Sequence, residues 1–214
     1  NAFTLSARLT AGGGLPTDES EDSGDADDHF GESVSISDDG TLVAVGAAGL
    51  DSNGEVEDGG GAYAFYRMPA TLSSATTDSW TRAGSVLTAE NPQSGAGGSD
   101  SLLMADRLGT SVVVGGGRII AGSPGKNQVD TDNNVLRGDV GGFVTFAVGE
   151  LPGAPTVDLP QEEMWAERLS YPEDAQKNFG VRTLYDEELR MLFVVAENER
   201  ASTVSTYVNE GLHW

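Results

Sequence analysis

One phrase occurs three times along the chain, and a repeated phrase limits the possible folds more tightly than any single motif. It opens on an aromatic residue or Leu followed by Gly, and runs into a β-rich stretch. It then passes a Val-Gly-Ala-like element, crosses a loop of small and acidic residues, and closes on a further strand. The first copy comprises Phe30-Gly31 to Ile36, Leu42 to Ala48, and Gly61 to Phe65. The second comprises Leu108-Gly109 to Val114, Ile119 to Pro124, and Gly142 to Phe146. The third is eroded: Phe179-Gly180 to Tyr185, Leu192 to Glu197, and Ser205 to Tyr207. The leading glycines stand 78 and 71 residues apart. A unit of that length made only of strands cannot bury both faces of its own sheet, so the repeat predicts an all-β fold of sheets stacked radially on their neighbours.

Each copy is preceded by a strand-like segment: Phe3 to Ala11, Trp80 to Ala89, and Trp165 to Leu169. The predicted order is therefore outer, inner, second and third strand, in units 1–66, 80–148 and 164–208 of one repeat domain over 1–214. The inner and second strands are joined tightly, through Asp38-Asp39-Gly40 and Gly115-Gly116-Gly117, which suit turns with positive φ. The third entry segment also reads as a helix, since Pro160 is followed by good helix formers; its place in the repeat favours a strand. Alternation predicts that Val34, Ile36, Val43, Val45, Val112, Val114, Ile120, Val194, Tyr63, Phe65, Phe143, Phe146 and Tyr207 lie between sheets.

The balance of 34 acidic against 12 basic residues gives −22, which makes nucleic-acid phosphates and anionic membranes poor partners. Only Lys126 and Lys177 are lysines, a bias that suits saline or extracellular surroundings and equally a plain compositional preference. There is no cysteine, hence no disulfide or thiolate metal site. No apolar run approaches 18 residues, so direct membrane insertion is not expected. Leu15 to Asp28 is too acidic to pack and reads as a surface loop, and the Gly/Ser-rich residues 90–101 fall at the same place in the second copy. Insertions at matching places fall on one face, which is the expected binding surface.

Laid out this way, the chain resembles the FG-GAP repeat, the blade of integrin-α-type β-propellers, in the branch reading Phe-Gly-x-Ser-Val-x-Ile, Leu-Val-x-Val-Gly-Ala, then Gly-x-Ala-Tyr-x-Phe. Copy one fits nearly throughout. Copy two has Leu108 for Phe and keeps Gly122-Ser123-Pro124, and copy three has Ala196-Glu197-Asn198 there. The resemblance implies a β-propeller, or partial propeller, of four-stranded antiparallel blades, about three in this chain. It also implies a binding or adhesion role on an extracellular or cell-surface protein, and no enzymatic activity. The family's Asp-x-Asp-x-Asp-Gly calcium loop between inner and second strands is missing, because the hairpins at Asp38 to Gly40, Gly115 to Gly117 and Asp186 to Glu188 are too short to wrap a cation.

The cation candidates lie in the loop between the second and third strands. Asp130, Asp132, Asn134 and Asp139 offer oxygens at alternate positions with a later carboxylate, a spacing suited to Ca²⁺, and copy one places Asp51, Asn53 and Glu55 similarly. Solvated turns explain the same residues, since Asp, Asn and Gly are what turns use. For catalysis, His29 and His213 are the only histidines and neither sits in a nucleophile or metal context. The expected function is a non-catalytic module with a protein or glycan partner at the loop face. Its end sheets are expected to be covered by other chains or further blades. A scaffold subunit and a glycan-active propeller enzyme are the alternatives.

Overall fold

The computed structural model describes residues 7–11, 26–51, 56–68, 79–89, 105–129, 135–138, 140–149, 156–165, 178–197 and 202–208. Within them a short 3₁₀ turn, Ala26–Asp28, precedes thirteen strands. The first sheet holds β1 (Phe30–Ile36), β2 (Leu42–Ala47), β3 (Gly61–Met68) and β4 (Ser79–Arg82), in that order. The second is built from β5 (Ser111–Gly115), β6 (Arg118–Ser123), β9 (Gly142–Gly149) and β10 (Thr156–Trp165), with a small hairpin of β7 (Gln128–Val129) and β8 (Val135–Arg137) between β6 and β9. The third has β11 (Phe179–Asp186), β12 (Met191–Glu197) and β13 (Ser202–Val208). All ladders within the sheets are antiparallel.

The all-β expectation therefore holds, with two corrections. The third sheet has three strands, not four, among the described residues. The Trp80 segment is the fourth strand of the first sheet, since Phe65 pairs with Arg82 and Arg67 with Trp80. The outer strand thus follows its unit instead of preceding it. Pairing back onto β3 satisfies the free edge of that strand, whereas pairing forward would leave the edge open. The Pro160 segment is a strand, and it too closes the preceding sheet. Pro160 lacks an N–H, and the β10 register slips on either side of it, as an outermost strand tolerates.

The sheets stack face to face. Between the first and second, the alanines Ala44, Ala62 and Ala64 of one sheet receive Ile119, Val144 and Phe146 of the other, small residues against large. Between the second and third, Val113, Ile120 and Phe143 meet Phe179, Leu192 and Val194. Phe143 and Tyr207 pack edge to face at 5.4 Å there. On the first sheet's outer face Phe30 packs edge-on against Tyr63 at 5.2 Å, with Ala11 buried beside them. β2 is buried at every position because both of its faces are covered.

Of the residues expected between sheets, Val112, Val114, Ile120, Val194, Phe143, Phe146 and Tyr207 are there, Val114 and Tyr207 half-buried, whereas Val43, Val45, Tyr63 and Phe65 are buried on the first sheet's outer face, against Leu9 and Ala11 and not against a sheet. Val34 and Ile36 are not buried: they are 67% and 55% exposed. Their register partners Val45 and Val43 are buried beside the residue 7–11 segment, but among the described residues no sheet lies over β1.

Each junction is sealed by close backbone approach. Gly109 and Gly180 adopt φ of +89° and +91°, which turns their carbonyls into the preceding sheet. A Cβ on Gly46 would collide with the Gly109 carbonyl, and one on Gly122 with that of Gly180. Ser33 Oγ donates to the Gly109 carbonyl and Ser111 Oγ to the Gly180 carbonyl, both at 2.8 Å. Gly122→Ala should lower the free energy of unfolding by roughly 1–3 kcal/mol, by overpacking against rigid backbone. Urea denaturation reads this directly, and an unchanged midpoint would mean that the two sheets do not meet at this glycine.

Candidate functional site

The β1–β2 and β5–β6 hairpins border a cavity of about 630 Å³ that Tyr185 and Glu187 of the third sheet also line. Its floor is apolar, from Leu42, Val114 and Val148, and its rim carries Asp38, Asp39, Arg118 and Glu187. That size and mixture suit a small organic ligand. Glu187 is committed to the scaffold, since its Oε2 accepts the Gly116 N–H at 2.8 Å and ties the third sheet's hairpin to the second's.

Asp39 is committed likewise. Its Oδ1 accepts from Ser37 Oγ at 2.6 Å, Thr41 Oγ1 at 2.7 Å and Thr41 N at 3.0 Å. These bonds, the Ser37 hydroxyl first and then Thr41, hold its carboxyl below the ordinary value of 3.8. The same bonds close the turn that the length of the hairpin predicts. Ionised Asp39 adds stability above pH 3.8 that fades as pH falls through its lowered folded value. An NMR titration of its carboxyl carbon should give a midpoint below 3.8. Asp39→Ala should cost under about 1 kcal/mol, because solvent screens so exposed a group.

Of the cation candidates, Asp130, Asp132, Asn134 and Asp139 lie outside the described residues, as do Asn53 and Glu55. Asp130 to Asn134 join β7 to β8, whose pairing is antiparallel. Asp51 is described, and its Oδ1 accepts the Asp58 N–H at 3.1 Å, a turn-closing bond. No group of three or more possible ligating side chains comes together among the described residues. His29 stands 3.6 Å from Glu32 on the surface, a pair of little energetic weight; His213 is outside the described residues. No helix among the described residues is long and apolar enough to cross a membrane.

Sequence reasoning missed one charged pair. Lys126 Nζ lies 3.3 Å from Asp106 Oδ2, with both side chains buried. The Asp106 carbonyl also accepts from Ser123 Oγ at 2.8 Å, so the segment leading into Leu108 is pinned to the turn after β6. The signal was present in composition, since one of only two lysines directly follows the turn Gly122-Ser123-Pro124-Gly125. Lys126→Ala should destabilise by roughly 3–5 kcal/mol by leaving a buried carboxylate uncompensated. Thermal unfolding checks it, and a loss below 1 kcal/mol would mean that water reaches Asp106.

The uncovered faces of the end sheets form the remaining candidate. Beyond Val34 and Ile36, the third sheet's outer face exposes Leu184 (62%), Val204 (61%) and Val208 (56%).

Tandem antiparallel sheets, joined through a glycine turn and presenting apolar end faces, define a repeat module of stacked β-sheets. Residues 21–65 match the family described as FG-GAP repeat, so this stretch, from the approach to β1 to the middle of β3, is an FG-GAP repeat. No curated protein matches the chain.

Proposed function

We propose that this chain is a non-catalytic assembly module, an arc of a β-propeller whose end sheets bury their free faces against other blades. The observation that carries the reading is the apolar character of those faces: Val34 and Ile36 at one end, Leu184, Val204 and Val208 at the other. Soluble domains rarely leave such surface in water unless it is an interface. A binding or adhesion role on an extracellular or cell-surface protein fits the FG-GAP repeat at residues 21–65 and the −22 charge. The cavity at the hairpin ends, with Tyr185 on an apolar floor, favours a second role in holding a small polar or glycan ligand.

If the Val34 face is a docking surface, Val34→Asp with Ile36→Asp should leave the melting temperature of the chain nearly unchanged and reduce its binding of an apolar fluorescent dye. A fall of ten degrees or more would show that the face is internal core and would end the assembly reading. Calcium is proposed only for the loop from Asp130 to Asp139. Millimolar Ca²⁺ should then raise the melting temperature, and Asp130→Ala with Asp132→Ala should remove the rise. An unchanged curve would leave these residues as solvated turns.

A further inference from the structure

The two junctions inside the chain have a tongue and a seat. The seat is a Ser on the inner strand opposite a Gly on the second strand, with a further Gly just before the third. Ser33, Gly46 and Gly60 form the first, and Ser111, Gly122 and Gly141 the second. Added Cβ atoms at Gly60 and Gly141 would collide with the backbone of Leu108 and Phe179 of the next sheet, which they bridge. The tongue is the glycine turn with the two residues that alternate after it. Gly109 carries Val112 and Val114, and Gly180 carries Thr183 and Tyr185.

The first sheet has the tongue, and among the described residues no seat receives it. Gly31 holds φ +96°, matching Gly109 and Gly180, yet an added Cβ there would meet no atom within 4 Å. Val34 and Ile36 correspond to Val112, which is 6% exposed, and to half-buried Val114. A second observation agrees. The tripeptide Leu87-Thr88-Ala89 leads into the second tongue, and Leu87 exchanges two backbone hydrogen bonds, of 2.8 and 2.9 Å, with Ala62 on β3 of the preceding sheet. The same tripeptide, Leu9-Thr10-Ala11, lies against the first sheet's outer face with Ala11 buried and Leu9 half-buried. It stands to the first sheet as Leu87 stands to the second.

The third sheet has no seat. Arg182 pairs with Val195 where the second sheet pairs Ser111 with Gly122. Arg182 is 74% exposed beside Glu197. Ser202 stands in the register position of Gly60 and Gly141. A Val side chain fills the space into which the next glycine carbonyl would turn, and no hydroxyl remains to receive it.

We propose that the stack is directional: its first sheet docks into a blade carrying the Ser-Gly-Gly seat, and its third sheet accepts no blade in this way. The blade is supplied by a polypeptide other than a second copy of residues 1–214, because both seats of such a copy are already filled and its third sheet lacks one. The docked third strand would exchange backbone hydrogen bonds with Leu9. The inference rests on reading the chain as an assembly module and adds how the first sheet docks and what that end recognises.

The test gives the third sheet a seat. The full-length variant Arg182→Ser, Val195→Gly, Ser202→Gly should associate head to tail in sedimentation velocity, with dimers and longer species growing with concentration. The wild type should remain monomeric over the same range. Adding Ile36→Asp to the variant should return it to monomer. A folded variant, verified by circular dichroism, that stays monomeric would overturn the proposal, even if the apolar dye still binds the Val34 face and the assembly reading stands. Should the variant fail to fold, the wild type decides. Association lost equally on Ile36→Asp and on Leu184→Asp would mean that the third sheet does receive the first, and would overturn the proposal. A wild type monomeric at high concentration supports it.

Discussion

The stack depends on how closely one backbone can approach another. Gly109 and Gly180 turn their carbonyls into sheets that carry no side chain at the point of contact, and a serine hydroxyl accompanies each arrival. Such a contact is short and directional, and it fixes the offset of one sheet on the next before any apolar side chain is placed. The apolar layers then fill what remains. Ala44, Ala62 and Ala64 leave room for Phe146 and Ile119, which would clash at another offset. The seat and the core therefore specify one arrangement together.

This construction suits a chain of −22 charge. The junctions use backbone amides, hydroxyls and hydrocarbon, so mutual repulsion among the carboxylates stays at the solvent-facing loops and hairpins, where salt screens it. The hairpin carboxylates act locally. Asp39 folds its own turn, and Glu187 caps the Gly116 N–H of a neighbouring hairpin. The buried pair of Lys126 and Asp106 is the exception, and it braces the segment that feeds the second glycine turn.

Much of the fold was legible in the chain. The repeated Phe-Gly or Leu-Gly turn predicted strands, their antiparallel hairpins and the inward residues Ile120 of β6 and Val194 of β12, because period-two alternation and turn glycines are local properties. The assignment of Trp80 to the second unit was not sound, since a segment between two sheets carries no sign of which edge it joins; its pairing with β3 decides it. Val34 and Ile36 carry the same pattern as Val112 and Val114, so no local feature distinguishes a covered strand face from an uncovered one. Of the site, the turn role of Asp38 to Gly40 was readable from hairpin length. The cavity was not, because Leu42, Val148 and Tyr185 meet only when three separate sheets are stacked.

By itself the sequence determined that this protein is a series of antiparallel β units punctuated by glycine turns, with acidic residues far outnumbering basic ones. Those are consequences of alternation, backbone freedom at glycine and side-chain ionisation, each acting within a few residues. Tertiary structure alone decided which sheet each outer strand closes, which valines are buried, and which glycines are seats and which merely turn. It also decided that the pairing of Arg182 with Val195 leaves the third sheet without a seat. These depend on what another part of the chain brings to the same point in space, within the reach of one Cβ atom, and sequence spacing does not encode that distance.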